Sequence, residues 1–224
     1  MTFSIVARCT RTDQLGMAVS SSSPAVAARC AHAKAGVGVV ASQNITDPRL
    51  GPKTLLAMAE GHSAPEAVKM IINASKNADF RQLLAVDASG NAAIYSGSKS
   101  LGTHADFTSQ NAAAAGNLLA NPNIPEAMVT AFHQGTGHLG DRLIDAMRAA
   151  LALGGEAGAL HSAGLLLVGE QEWPMADLRC DWTEDCPIEA VAAAWNIYKP
   201  QMDDYIVRAL DPAKAPQYGV PGDE

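Results

Sequence analysis

Residues 2–20 read TFSIVARCTRTDQLGMAVS, and the fold class of the chain can be predicted from this segment. Two apolar runs, Phe3–Cys9 and Leu15–Ser20, flank the polar segment Thr10–Gln14, which is typical of two strands joined by a turn. The chain therefore opens with a predicted β-hairpin. Antiparallel pairing at the start favours a fold in which strands and helices come in groups rather than in strict alternation.

The rest of the chain continues this grouping. Further strands are predicted at 36–42, 82–86, 92–95, 107–115, 161–168 and 175–182, and helices at 52–60, 65–75, 123–134, 139–153 and 187–210, the last kinked at Pro200. Ser63 and Glu66 have the spacing of a capping box at the start of the second helix. The pattern predicts an α+β fold with two sheets packed face to face and helices outside. We expect one domain over residues 1–212 and a loose tail over 213–224.

Composition restricts the partners of the chain. Of 224 residues, 48% are hydrophobic and 17% are charged, against about 25% charged in an average domain. Such a shortage of charge predicts buried faces and a homodimer. The net charge of −7 argues against a nucleic-acid partner. No run is long and apolar enough to predict a membrane span, and the first residues lack the pattern of a signal peptide, so we expect a cytoplasmic protein.

Standard metal and cofactor motifs are missing from the sequence. The four cysteines and six histidines have no ligand spacing, and there is neither a glycine-rich phosphate loop nor a nucleophile elbow. We therefore predict no metal and no cofactor.

Thr2 is the most informative candidate for chemistry. Removal of Met1 would expose the α-amine of Thr2, whose ordinary pKa is about 7.7–8, so that part of it is neutral at pH 7. A neutral amine can deprotonate the hydroxyl of its own residue and create a nucleophile and base in one residue. Thr2 is therefore a candidate nucleophile, and it directly precedes the first predicted strand.

Other polar residues follow predicted strands or lie in turns. Asn44 and Asn117 each follow a strand, where an amide could support an oxyanion or simply form a turn. Thr46 lies just after Asn44. Ser23 ends the run Ser20–Ser23, which either lines the pocket of the nucleophile or forms a hydrogen-bonded bend.

Arg179 and Asp181 lie two residues apart on a predicted strand and so share one face. They could bind the carboxylate and amine of a substrate, or form a structural pair.

Five blocks in order resemble the DUF1028 family, an uncharacterised bacterial group assigned to the N-terminal nucleophile hydrolase-like superfamily. The blocks are TFSIVAR (2–8), LGMAV (15–19), AGVGVVASQ (35–43), GNLLA (116–120) and DLRCD (177–181). The resemblance covers residues 2–200 and implies a four-layer αββα sandwich. The order of Thr2, hairpin and crossover also resembles that of N-terminal nucleophile hydrolases. In those enzymes a lysine at a place similar to that of Lys34 supports the threonine. The alternative for Lys34 is a solvated side chain at the entrance to a strand.

These observations lead to one functional hypothesis and one rival. The first is an amide- or peptide-bond hydrolase acting on a small molecule, with Thr2 as nucleophile, Lys34, Asn44 and Asn117 as catalytic support, and a pocket lined by Ser23, Thr46, Arg179 and Asp181. The second is a non-catalytic binding protein or structural homo-oligomer on the same scaffold, since fold does not fix function.

Overall fold

A computed structural model describes residues 2–222 of the chain. The strands are β1 (Thr2–Arg8), β2 (Leu15–Ser21), β3 (Ala31–Lys34), β4 (Gly38–Asn44), β5 (Arg81–Asp87), β6 (Ala92–Ser96), β7 (Ala105–Ser109), β8 (Ala112–Asn117), β9 (Ser162–Val168) and β10 (Ala176–Cys180). The helices are α1 (Val26–Cys30), α2 (Leu50–Ala59), α3 (Ala64–Asn73), α4 (Ile124–Gln134), α5 (Leu139–Ala152), α6 (Pro187–Tyr198) and α7 (Met202–Leu210).

The strands form two antiparallel sheets. The larger sheet has six strands in the order β10-β9-β2-β1-β8-β7, and the smaller has four in the order β3-β4-β5-β6. β1 and β2 form the predicted hairpin, with Phe3 opposite Ser20. β1 also pairs with β8, which places Thr2 opposite Asn117. The first strand of the chain is therefore central in its sheet.

Alternation along the strands divides their side chains between two faces. On β1, Val6 packs with Met17, Val39 and Leu84 in an apolar cluster shared by both sheets. The two sheets therefore face each other across a common core.

The opposite face of each sheet is covered by helices. Phe3 and Ile5 of β1 belong to a cluster with side chains of α4, α5 and α6, such as Phe132, Leu143 and Trp195. The smaller sheet packs Val40 and Leu83 against α2 and α3 in a separate cluster. The two predicted helical pairs, α2–α3 and α4–α5, thus lie on different sheets. Small side chains contribute to both faces of the larger sheet, where Ala112–Ala115 of β8 are all fully buried.

Three elements differ from the sequence prediction. The crossover before β4 contains the strand β3, whose short run Ala31–Lys34 was too brief to recognise. The predicted strand 107–115 is two strands, because Asn111 adopts a positive φ of 68° and reverses the chain. The last predicted helix is divided by a short 3₁₀ turn at Lys199–Gln201, since Pro200 cannot donate to the helical ladder.

Candidate functional site

A layer of polar side chains closes the space between the sheets at the end where β1 begins. On the faces that the two sheets turn towards each other, β2, β4, β5 and β8 are apolar along the strand and polar at this end, and on β1 two polar residues precede Val6. The polar members are Thr2, Ser4, Ser21, Gln43, Gln82 and Asn117, and all are buried. A buried polar layer in place of an apolar one is costly unless it is hydrogen-bonded, so it marks this end as the candidate site.

Thr2 lies at the centre of this end. Its Oγ1 donates to Ser21 Oγ at 3.3 Å, and Ser21 Oγ also accepts the backbone N–H of Ser23 at 3.1 Å. On the other side, Thr2 pairs with Asn117 across the strands. Its side chain is only 4% exposed. The hydroxyl is therefore held between two neighbouring strands that each contribute a polar residue.

Two glutamines of the smaller sheet link this layer to the larger sheet. Gln43 Oε1 accepts the hydroxyl of Ser4 at 2.6 Å, and Gln43 Nε2 donates to Gln82 Oε1 and to the carbonyl of Ala115. Gln82 Nε2 donates to the carbonyl of Gly116 at 3.1 Å. The network joins the sheets through side chains where the apolar core ends.

These contacts fix the direction of the Asn117 amide. Because Gln82 Nε2 faces the carbonyl of Gly116, Gln82 Oε1 faces Asn117 and requires a donor, which Asn117 Nδ2 supplies at 2.9 Å. Asn117 Oδ1 is buried and, among the described residues, has no hydrogen-bond partner. The amide thus presents an acceptor at the site, whereas oxyanion support would need a donor.

Glu156 is a further buried carboxyl at the same end. Gly154 and Gly155 adopt positive φ angles of 100° and 60°, which let the chain leave α5 and turn back beside β8. Glu156 is 4% exposed, its Oε2 accepts the N–H of Ser22 at 3.3 Å, and its Oε1 has no partner among the described residues. Burial raises its pKa to about 7, although the charge of the amino terminus, the Ser22 hydrogen bonds and His161 act in the opposite direction.

The structure brings some of the predicted residues to Thr2 and separates others. Ser23 lies close, bonded through its N–H to Ser21. The amide of Asn44 is engaged on the loops, donating to the carbonyl of Phe80 at 2.6 Å and accepting the N–H of Leu101 at 3.2 Å. Thr46 Oγ1 lies 3.7 Å from Cys30 Sγ. The described hydrogen bonds of Asn44 and Thr46 are therefore made to residues other than Thr2.

Lys34 lies at the opposite end of the sheets. It pairs with Gly38, which in turn pairs with Asp87, whereas Gln43 and Gln82 mark the end that holds Thr2. The strands separate the two ends by about 20 Å, since β1 has seven residues. The antiparallel direction of β3, which the sequence did not reveal, is the reason that Lys34 does not reach Thr2.

Arg179 has a different partner from the one predicted. Its guanidinium forms two hydrogen bonds with Asp177, at 2.8 and 2.7 Å, on the edge strand β10. Asp181 is exposed, and its carbonyl accepts the N–H of Ala25. These contacts favour a structural ion pair for Arg179, formed with Asp177 and not with Asp181.

Two clefts lie away from Thr2. One, of about 650 Å³, is lined by Thr12, Asp13, Lys34, Gly36, Gly169 and Glu170 at the far end of the sheets. A second, of about 450 Å³, runs between α3 and the edge strand β6. Within residues 2–222 no three His, Cys, Asp or Glu side chains are placed to share a metal ion. In the same range, no helix has the length and apolar character to cross a membrane.

Four members of the site were not predicted from the sequence: Ser4, Gln43, Gln82 and Glu156. Gln43 and Gln82 carry a usable signal, because each is a polar residue at the end of a strand face that is otherwise apolar. The pair Gly154-Gly155 before Glu156 is a second signal, since it predicts a tight turn. That these residues meet Thr2 depends on strand order, which no local pattern contains.

Comparison with known proteins identifies relatives of this arrangement. A family model described as a family of unknown function, DUF1028, matches residues 2–191. The crystal structure of a member of that family from Silicibacter pomeroyi is 30% identical, with a TM-score of 0.82 over 88% of this chain and 89% of that chain. No curated protein matches the chain.

Two Anbu structures are more distant. Anbu, an ancestral beta-subunit, from Yersinia bercovieri is 10% identical with a TM-score of 0.40, over 91% of this chain and 97% of that one. An Anbu Gly-1 mutant from Hyphomicrobium is 11% identical with a TM-score of 0.44, over 98% and 100%. Both similarities are weak. The family match covers most of the sequence, and the chain therefore belongs to DUF1028, a family of unknown function.

Proposed function

We propose that the chain is an amide-bond hydrolase of the N-terminal nucleophile type, which acts on a small amide or peptide once Met1 has been removed. The observation that carries the proposal is the position of Thr2. It is the first residue of the central strand β1, its hydroxyl bonds to Ser21, and it lies opposite Asn117 in a buried polar layer. A nucleophile, a base and polar partners are then contained in a few residues at one sheet end.

The packing supports a four-layer αββα arrangement for this proposal. Three separate apolar clusters lie between α4–α6 and the larger sheet, between the two sheets, and between the smaller sheet and α2–α3. In such an order the first residue of a central strand opens onto the edge of the inter-sheet layer. The N-terminal nucleophile assignment adds to this geometry the chemistry of a terminal amine.

The proposed reaction proceeds in two steps. Thr2 Oγ1 bonds to the carbonyl carbon of the substrate while its proton passes to the neutral α-amine of Thr2, and the amine then gives that proton to the departing nitrogen as the C–N bond breaks. Water next adds to the resulting ester, its hydroxyl joining the carbonyl carbon and its proton returning to Thr2 Oγ1. The products are a carboxylic acid and an amine, and the enzyme is regenerated.

The site residues have unequal support in this scheme. Thr2, Asn117 and Ser23 lie together at one end, whereas Lys34 lies at the other and Asn44 is engaged with Phe80 and Leu101. We therefore propose that the base is the α-amine of Thr2 itself, without help from Lys34.

A second candidate is a non-catalytic binding or structural protein. The low exposure of Thr2, 4%, favours it, because a nucleophile must meet its substrate. In this alternative the polar layer serves only to join the sheets, and Thr2 keeps its peptide bond to Met1.

The test combines intact mass with labelling by a β-lactone, an electrophile that esterifies reactive threonine hydroxyls. Intact mass of natively produced protein reports whether Met1 has been removed. We expect the processed chain to gain the mass of one lactone, and Thr2→Ala to gain none. Thr2→Ser, which keeps a hydroxyl, should still be labelled.

Thr10→Ala is the matched control, because Thr10 is an exposed threonine in the turn after β1. It should be labelled like the unmodified chain. Labelling of Thr2→Ala at the same rate, or a fully processed chain that takes up no lactone, would favour the non-catalytic alternative.

A further inference from the structure

We infer that Glu156 is the positioning residue for the α-amine of Thr2, which its carboxylate holds and orients through hydrogen bonds. The inference rests on the proposed removal of Met1. It adds to the proposed function a residue that acts through the base and not on the substrate.

The location of Glu156 follows from the strands on both sides of β1. β2 continues past Ser21 to Ser22, whose N–H bonds to Glu156 Oε2. The chain after β8 continues to Leu119, which forms an isolated antiparallel bridge with Glu156. β2 and β8 are the two neighbours of β1, and Glu156 contacts the segment that follows each of them. The carboxyl therefore lies beyond the start of β1, which is the end that carries the backbone nitrogen of Thr2.

The backbone fixes Glu156 in this position. The N–H of Ala120 donates to the carbonyl of Gly155 at 3.0 Å, and the N–H of Ala157 donates to the carbonyl of Leu118 at 2.9 Å. The residues before and after Glu156 are therefore both tied to the segment that follows β8. A group held in this way does not need to reorganise to meet an amine.

Two buried acceptors at this end have no donor among the described residues. They are Glu156 Oε1 and Asn117 Oδ1, in side chains that are 4% and 0% exposed. A buried acceptor without a donor costs about 1–3 kcal/mol, and more when it is charged. An ammonium group carries three N–H donors, so a terminal amine could satisfy both acceptors at once.

Electrostatics are consistent with such a cation. Burial raises the pKa of Glu156 to about 7, so the carboxyl is only partly ionised at neutral pH. His161 also faces it, but that ring is bound to the carbonyl of Thr183 through Nδ1 at 2.8 Å and lies near the carboxylate of Glu184. A terminal ammonium beside Glu156 would favour the carboxylate, and the carboxylate would in turn raise the pKa of the amine.

The experiment measures the α-amine of processed protein directly. Its rate of acetylation by acetic anhydride, followed by mass spectrometry across pH, gives the pKa of the amine. We expect Glu156→Gln to lower that pKa by about 1, since an opposite charge a few ångströms away has been removed. Glu184→Gln, which removes an exposed carboxylate from the same sheet end, should leave it unchanged.

The two proposals can fail separately. An unchanged amine pKa in Glu156→Gln would overturn the inference, whether or not the lactone labels Thr2. A lowered amine pKa without any labelling would keep the inference and refute the hydrolase.

If Glu156→Gln does not fold, the unmodified processed chain gives the same answer. Acetylation of its α-amine removes the cation and should raise the pKa of the Glu156 carboxyl, measured by ¹³C NMR. No change in the titration of that carboxyl would overturn the inference.

Discussion

Gln82 is the residue of β5 at which the inter-sheet face changes from apolar to polar. Its neighbours on the same face of β5, Leu84 and Val86, continue the apolar cluster between the sheets. Gln82 instead accepts from Gln43 and Asn117 and donates to the carbonyl of Gly116. It therefore sets the direction of the Asn117 amide beside Thr2.

Replacement of Gln82 should destabilise the protein. Gln82→Leu leaves the donors of Gln43 and Asn117 and the carbonyl of Gly116 without this partner in the buried polar layer. We expect a loss of about 2–4 kcal/mol in the free energy of unfolding by urea, given about 1–3 kcal/mol for each unsatisfied group and some relaxation. Gln110→Leu, at an exposed glutamine whose side chain donates to the carbonyl of Ser89, should cost about 0.5 kcal/mol or less. Equal losses in the two variants would show that the network does not stabilise the sheet end.

Residue patterns led to some of the candidate residues and not to others. Thr2, Asn117 and Ser23 were proposed because each lies at a strand end or in the segment that follows one. Lys34 lies far from Thr2 because it belongs to the strand Ala31–Lys34, and a strand of four residues was too short to recognise from the sequence. Glu156 lies in a loop, where the sequence gives a turn but not the direction in which a carboxyl points.

At the scale of elements, helix ends were predicted more reliably than strand pairs. The capping box of Ser63 and Glu66 forms as expected, with Glu66 Oε2 accepting the N–H of Ser63 at 2.8 Å. A cap depends on residues three apart, so it can be read from the sequence. The run Ala112–Ala115, in contrast, looks the same on both faces, and the turn that separates β7 from β8 was missed.

Asp141 connects the start of α5 to the end of α6. Its carboxylate accepts from Trp195 Nε1 at 2.8 Å, from Lys199 Nζ at 3.0 Å and from the N–H of His138 at 3.2 Å. Burial raises the pKa of this carboxyl, but the bonds from Trp195, Lys199 and His138 outweigh it and hold the pKa below its ordinary value. The ionised form therefore stabilises the contact between the two helices.

Stability should depend on this carboxylate in a defined pH range. Because its pKa is lower in the folded chain than in the unfolded chain, where it is about 3.9, the contribution is complete above that value and is lost as the pH falls through the folded-state pKa. Asp141→Asn should cost about 1.5–3 kcal/mol at pH 7, measured by urea unfolding, and progressively less towards pH 3.

Asp145→Asn provides the control for this prediction. Asp145 is on the same helix and pairs with Arg148 in an exposed ion pair at 3.3 Å. Its replacement should change stability by about 0.5 kcal/mol or less at every pH. A cost for Asp141→Asn that stays constant from pH 7 to pH 3 would contradict the role of its charge.

On the scale of the whole molecule, grouped strands and helices predicted two antiparallel sheets with helices, which the structure confirms. The grouping sufficed because hairpins and helical pairs are local. Strand order could not be predicted, since β1 pairs with β8 across more than a hundred residues of chain. The candidate site depends on that order, which explains why the fold was easier to predict than the contacts of Thr2.

The low charge of the chain supports a homodimer, and the C-terminal helices offer a surface for it. Ile197 and Leu210 are 69% and 59% exposed, and Tyr218 beyond them is 54% exposed. Exposed apolar side chains mark an interaction surface when they form one patch, and we propose that these three contribute to such a patch. We expect light scattering to give twice the chain mass of 23.3 kDa, and the double variant Ile197→Glu, Leu210→Glu to give that mass once. Leu56→Glu, at an equally exposed leucine on α2, should leave the dimer intact. A mass of one chain at every concentration up to the solubility limit would refute the dimer, and dissociation by Leu56→Glu alone would move the interface to α2.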